Sequence, residues 1–227
     1  MPQKDMSWDT FTQIVLSIPG KGYSVWLQGE GEPSLHPQFE AMARFVRQKG
    51  HHPYTILNGS RVDTKSLPIL FPTIGFSIDT LDEQSAHRTG RYNLRKVLKN
   101  IDLLSQVMHP KRINIMTVDM GQPLEALRTW VVDQGFGRHI VQSLIPKNDY
   151  ARRYTVNSQA IMPMRPSTCA FLERKMMRFY TWDGKELPCC FIKNPSDFTS
   201  IPDLQVKIAE GEIPGCCAGC TNLKKIN

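Results

Sequence analysis

The first 145 residues alternate short apolar runs with amphipathic stretches, and that alternation is the strongest constraint the chain places on its fold. Residues 23–28, Tyr-Ser-Val-Trp-Leu-Gln, read as a strand, and a helix follows whose apolar stripe is Phe39, Met42, Phe45 and Val46, closed by Gly50. The pattern repeats: a strand at 54–57, a segment around Leu67 and Leu70, a strand at 74–78, and a helix bearing Leu94, Val97, Leu98, Ile101 and Leu104. A last round has a strand at 113–118, a helix through Leu124, Leu127 and Val131, and a strand at 140–144. Strands separated by crossover segments of this length pair in parallel with right-handed connections, so the expected class is α/β, as a barrel or an open sheet. In both, ligands gather at the carboxyl ends of the strands.

Those ends carry candidate ligand-binding residues. The loop after the first strand runs Gly29-Glu30-Gly31-Glu32-Pro33, the second strand ends at Asn58-Gly59, and the third at Ser77-Ile78-Asp79. Glycines let a ligand approach backbone, a carboxylate holds an ammonium group, and Asn, Ser or Asp hold hydroxyls. Taken singly, Gly59 reads as a turn residue, His36 as a loop histidine, and Asp79 as a helix cap ahead of Leu81-Asp82-Glu83. Arg88, Arg91 and Arg95 read as a solvated helix face, from which one guanidinium could reach a carboxylate of a cofactor or substrate.

Cysteine placement divides the chain. Residues 1–168 contain none, whereas Cys169, Cys189, Cys190, Cys216, Cys217 and Cys220 all follow. Residues 176–182 read as a strand, Asp183-Gly184 as a two-residue hairpin turn, and 185–190 as the return strand, which brings Cys189 back towards Cys169. A helix at about 203–210 leads to Cys216-Cys217-Ala218-Gly219-Cys220, whose C-x-x-C turn aims Cys217 and Cys220 at one centre. Spacing alone suits a four-thiolate zinc site as well as an iron–sulfur cluster. Cys190 and Cys216 read as buried or spare thiols beside the ligands.

Charge and length narrow the partners. The 28 Lys and Arg against 21 Asp and Glu leave +7 on 227 residues, with no dense basic run, so nucleic acid is not the expected partner. No window approaches the ~20 apolar residues of a membrane span. The N-terminus lacks a secretory core, so the expectation is a cytoplasmic chain whose cysteines stay reduced.

As an ordered set, Gly-Glu-Gly-Glu-Pro at 29–33, Leu35-His36-Pro37, Asn58-Gly59, Ser77-Ile78-Asp79 with Asp82-Glu83, and His87-Arg88 through Ile101 resemble the radical SAM superfamily. The resemblance implies a partial (β/α)6-type barrel over residues 1–150 that lacks its first strand, a linker at 151–168, and a small cysteine-rich hairpin–helix domain at 169–227. It implies S-adenosylmethionine as cofactor, with Gly29, Gly31 and Glu32 near its methionine amino group and Asn58, Ser77 and Asp79 around its ribose.

The tail resembles the SPASM or twitch auxiliary-cluster domain, which implies one 4Fe-4S cluster on Cys169, Cys189, Cys217 and Cys220. A catalytic member would draw electrons from a ferredoxin or flavodoxin and act on a small molecule or peptide. The chain departs from the family in one respect: the C-x-x-x-C-x-x-C that holds the radical-forming cluster is missing, and Met1-Pro2-Gln3 falls where its third cysteine would end. The expectation is therefore a piece of a longer enzyme. The alternative is a noncatalytic metal-binding scaffold, so whether this chain is itself an enzyme stays open here.

Overall fold

The computed structural model describes residues 4–29, 31–144, 167–173, 177–220 and 222–226. The chain divides into two compact units, residues 1–144 and 145–227.

Unit 1 begins with α1 (Trp8–Ser17), which starts where the Ser7 hydroxyl accepts the Thr10 amide at 3.1 Å. Its buried Phe11 and Val15 pack on Met42 and Val46 of α2 (Phe39–Gln48). Between them lies β1 (Ser24–Trp26). The remaining elements are β2 (His52–Tyr54), β3 (Ile56–Leu57), α3 (Leu67–Leu70), β4 (Ile74–Ser77), α4 (Glu83–Arg88), α5 (Leu94–Ser105), β5 (Ile113–Asp119), α6 (Glu125–Asp133) and β6 (Arg138–Ser143).

All strand pairs of unit 1 are parallel: β1 with β2, β3 with β4, β4 with β5, and β5 with β6. The run expected as one strand at 54–57 is two pieces, extended back to His52 and divided at Thr55. Thr55 is the pivot between them. Its hydroxyl donates to the Leu27 carbonyl at 2.7 Å, while its own carbonyl accepts the Gly75 amide at 2.9 Å. β2 and β3 thus serve β1 on one side and β4 on the other, and the ladder runs β1, β2/β3, β4, β5, β6.

One face of this ladder is covered by helices. Leu57, Ile74, Phe76, Ile78, Ile113 and Ile115 project between Phe39, Ala43, Leu70, Val97, Ile101, Leu104 and Leu127 in a single core. Two arginines anchor α3 to its surroundings. Arg112 donates to the carbonyls of Pro68, Phe71 and Pro72 at 2.7, 2.7 and 2.8 Å, and Arg47 donates to that of Ile69. They satisfy carbonyls that a four-residue helix cannot pair internally.

Unit 2 contains β7 (Ser167–Cys169), α7 (Ala170–Glu173), β8 (Phe179–Tyr180), β9 (Glu186–Leu187), α8 (Ile201–Glu210) and β10 (Leu223–Lys225). β7 and β10 pair antiparallel with Cys169 opposite Leu223, so a strand occupies the end of the expected linker. Residues 145–166, which include most of that linker, lie outside the described residues, as do 174–176 at the start of the expected first hairpin strand.

The hairpin itself is present, β8 with β9, but its loop differs from expectation. The Thr181 amide donates to the Lys185 carbonyl at 2.9 Å, which leaves Trp182, Asp183 and Gly184 as a three-residue loop. Gly184 has φ +82°, the left-handed residue that closes such a loop. α8 starts two residues before the expected 203, because the Ser200 hydroxyl accepts the Asp203 amide at 3.1 Å and caps it there.

Candidate functional site

The carboxyl-end loops of unit 1 are tied together by Glu32. One carboxylate oxygen accepts the Ser34 amide at 3.2 Å and the Ser34 hydroxyl at 2.6 Å; the other accepts the Asn58 amide at 2.7 Å. The loop after β1, with Gly29 and Gly31 exposed on it, is thereby fastened to the loop after β3. The Asn58 side-chain oxygen accepts the Ser60 amide at 2.8 Å, and Asn100 of α5 donates to the carbonyls of Gly59 and Ser60 at 2.9 and 3.2 Å.

Gly59 is required at this turn for two reasons. Its φ is +76°, and a Cβ there would lie 2.7 Å from the Val97 side chain, so the turn rests directly on α5. His36 is used structurally: it accepts the Gln38 amide on Nδ1 at 3.0 Å, which leaves Nε2 protonated and donating to the Met6 carbonyl at 3.1 Å.

Asp79 occupies the centre of the next loop, with its side chain only 4% exposed. Arg91 Nε donates to one carboxylate oxygen at 2.8 Å, and the Val118 amide donates to the other at 2.9 Å. The same guanidinium reaches the Ser77 hydroxyl at 2.7 Å, so Ser77, Asp79 and Arg91 form one bonded group. Gln122 completes it by donating to the carbonyls of Asp79 and Val118 at 3.0 and 2.8 Å.

Asp79 is therefore not the helix cap that it reads as when taken singly. Asp82 caps α4, accepting the Ser85 amide at 2.7 Å, and its hydrogen bonds to Ser85 hold its carboxyl below the usual value. Of the three arginines on the expected solvated face, Arg91 does reach a carboxylate, and that carboxylate belongs to the protein. Gln122 had no signal in the sequence beyond its place after Gly121.

A second polar contact lies between β5 and β6. The buried Thr117 hydroxyl donates to the Ile78 carbonyl at 2.6 Å and, having spent its one proton, accepts from His139 Nε2 at 2.9 Å. Burial, and then the charge of Arg128, hold His139 below its ordinary pKa. Replacing Thr117 by valine keeps the shape and leaves the Ile78 carbonyl and His139 without this partner. We expect a loss of about 1–3 kcal/mol in chemical denaturation, and no loss would show that water replaces the hydroxyl.

In unit 2 the cysteines form much of the interior. Cys169 and Cys220 pack with Ile208 and Leu223; Cys189 packs with Ile192 and Leu204; Cys217 touches both groups. Cys169, Cys189 and Cys220 are buried. The Asn222 amide approaches Cys220 Sγ at 3.9 Å, and the Cys216 and Cys217 sulfurs lie 4.0 Å apart. Burial, and then Cys189 beside it, push the Cys190 thiol up to about 11. The four expected ligands thus share one seam, with Cys217 at the junction. Among the described residues no three His, Cys, Asp or Glu side chains are assembled around a point that could hold a metal ion. Soft thiolates suit iron–sulfur or zinc chemistry, so the donor types fit either centre.

No helix among the described residues is long and apolar enough to cross a membrane. No family model matches the chain, and no curated protein matches it. Among solved structures it is similar to TYW1 with a lysine-pyruvate adduct bound, at 19% identity and a TM-score of 0.44, covering 54% of this chain and 42% of that one. It is also similar to native anSMEcpe with bound AdoMet and Cp18Cys peptide, at 19% identity and a TM-score of 0.49, covering 63% of this chain and 44% of that one. The chain thus spans less than half the length of either protein.

Proposed function

We propose that unit 1 binds S-adenosylmethionine at the carboxyl ends of its parallel strands, in the manner of the radical SAM superfamily, and that unit 2 binds an auxiliary 4Fe-4S cluster through Cys169, Cys189, Cys217 and Cys220. The observation that carries this reading is the Glu32–Asn58 bond of 2.7 Å. It joins the glycine loop after β1, with its exposed Gly29 and Gly31, to the turn after β3 that carries Asn58. Glycine backbone and a carboxylate on one side and a short polar side chain on the other suit a ligand with an ammonium group at one end and ribose hydroxyls at the other. Ser77 is held ready on the adjoining strand by Arg91. Asp79 in this reading acts through Arg91, because its side chain is enclosed at 4% exposure, whereas Glu32 is half-buried beside the exposed glycines.

For unit 2 the four thiolates suit either zinc or iron–sulfur chemistry, and the resemblance of the cysteine pattern to auxiliary-cluster domains favours the 4Fe-4S cluster, which takes one thiolate at each iron. Cys189 lies in one apolar group and Cys169 with Cys220 in the other, and Cys217 touches both. Binding would draw the sulfurs inward and add its free energy to folding of the unit. When bound, such a cluster supplies electron transfer or a ligating iron. Residues 1–168 hold no thiol, so radical formation is proposed only for a protein that also supplies a C-x-x-x-C-x-x-C set. Such a protein would act on a small molecule or peptide and draw electrons from a ferredoxin or flavodoxin.

The test is compositional. Protein purified without oxygen should be brown and carry about four irons and four sulfides per chain, with Cys169→Ala and Cys220→Ala each colourless. Calorimetric titration with S-adenosylmethionine should show binding that Glu32→Gln weakens. A colourless chain with one zinc would overturn the cluster, and absence of binding at millimolar S-adenosylmethionine would overturn the role of unit 1.

A further inference from the structure

β6 ends the sheet of unit 1. Among the described residues it is hydrogen bonded to β5 alone. Its burial differs sharply from that of its neighbour: the first five residues of β5 are buried, whereas four of the six in β6 are exposed. A strand in that position presents a row of backbone N–H and C=O groups that another strand can pair with.

Beside this edge, between α6 and β6, runs an open groove of about 490 Å³. Val132, Phe136 and Val141 supply its apolar surface, and Arg128, Arg138 and His139 its polar part, with no carboxylate in the lining. Val132 is 76% exposed although it lies on a helix that buries Leu127 and Val131, so the apolar surface of α6 continues past the core into solvent. Acidic groups flank the groove without lining it. Glu125 meets Arg128 at 3.8 Å with both side chains exposed, Asp133 follows Val132 on α6, and Asp119, opposite Ser143, turns its carboxylate to the Gly121 amide at 2.9 Å.

We propose that the free edge of β6 and this groove form a docking surface for an extended segment of a partner protein, one that alternates acidic and apolar residues. The segment would add to the sheet as a further strand, its backbone pairing with β6, its carboxylates meeting Arg128 and Arg138, and its apolar side chains covering Val132, Phe136 and Val141. Charge selects this occupant. Two copies joined edge to edge would bring together two grooves whose linings carry arginines and no carboxylate, which costs binding energy. Nucleic acid binds through phosphates and base stacking, and it would leave the apolar floor and the strand edge unused. The inference does not depend on the cofactors proposed above.

The test uses the full chain with a capped Glu-Val-Glu-Val-Glu-Val peptide, its Lys-Val counterpart, and a version of the acidic peptide N-methylated at alternate amides. The acidic peptide should slow hydrogen exchange at the amides of 138–143 and bind in fluorescence anisotropy. The N-methylated peptide should fail to bind although the protein is unaltered. Arg128→Glu with Arg138→Glu should weaken binding at least about tenfold, a loss of about 1.4 kcal/mol, while the circular dichroism spectrum stays unchanged. Equal binding of the basic peptide would overturn the proposal. So would unchanged exchange at millimolar acidic peptide, or concentration-dependent self-association in sedimentation that shields 138–143 without any peptide.

Discussion

Arg91→Leu is expected to destabilise unit 1 by about 3 kcal/mol, because it leaves a carboxylate in the interior with its cation gone. Asp79 is 4% exposed and the pair is closed at 2.8 Å, so water cannot readily replace the guanidinium at that oxygen. Arg91 is itself 34% exposed, which is why the expected cost sits at the lower end of what breaking a buried pair produces. The same guanidinium holds the Ser77 hydroxyl at 2.7 Å, so the substitution also frees the end of β4.

A double-mutant cycle separates the two effects. Asp79→Asn with Arg91→Leu removes the stranded charge and should cost less than the sum of the single changes by at least about 1 kcal/mol. Urea denaturation followed by tryptophan fluorescence gives each free energy, and a shift of the midpoint without a change in slope identifies a stability effect. Strict additivity would mean that Asp79 and Arg91 do not pair in solution, and the account of the β4 loop would then be wrong.

Gly137→Ala is expected to cost at least about 3 kcal/mol, at or beyond the upper end of ordinary overpacking. A Cβ at Gly137 would stand 2.2 Å from the Lys111 carbonyl oxygen and 3.0 Å from the Asn114 side-chain oxygen. The first of these is backbone and cannot rotate aside. Gly137 also donates its amide to the Ile113 carbonyl at 2.8 Å, the contact that brings the chain alongside β5. Relief of the clash therefore has to open the start of β6, and hydrogen exchange should accelerate at 138–143 before the rest of the sheet. Gly29→Ala is the control. Nothing lies within 4 Å of its added Cβ, so stability should stay within about 0.5 kcal/mol of the parent. A stable Gly137→Ala protein would show that β6 can slide along β5, and the docking edge would lose its defined register.

How much of this was legible depended on sequence range. The strands of unit 1 were visible because parallel strands under a helix layer need apolar residues in continuous or alternating runs, as Ile74, Phe76, Ile113 and Ile115 provide. Helix α5 was visible through Leu94, Val97, Ile101 and Leu104, which all become buried. α1 was not singled out as a helix, since its stripe rests on Phe11 and Val15 and its starting signal is the lone Ser7. The division at Thr55 had no local signal either. It arises because one residue serves strands on both sides, Leu27 and Gly75, which lie far from it in sequence.

The candidate site divides in the same way. Glycines, Glu32, Asn58, Ser77 and Asp79 stood out because chain order placed them after strands. That Glu32 would bond the Asn58 amide, that Asp79 would be enclosed by Arg91, Val118 and Gln122, and that Cys217 would join two groups of thiols were decisions of packing. The amino-acid order alone determined an α/β unit followed by a cysteine-rich one, because hydrophobic periodicity and cysteine spacing are local properties of a chain. Only the tertiary structure decided which polar groups are consumed holding loops together and which face outward for a ligand, because a hydrogen-bond partner is chosen by proximity in space between residues tens of positions apart.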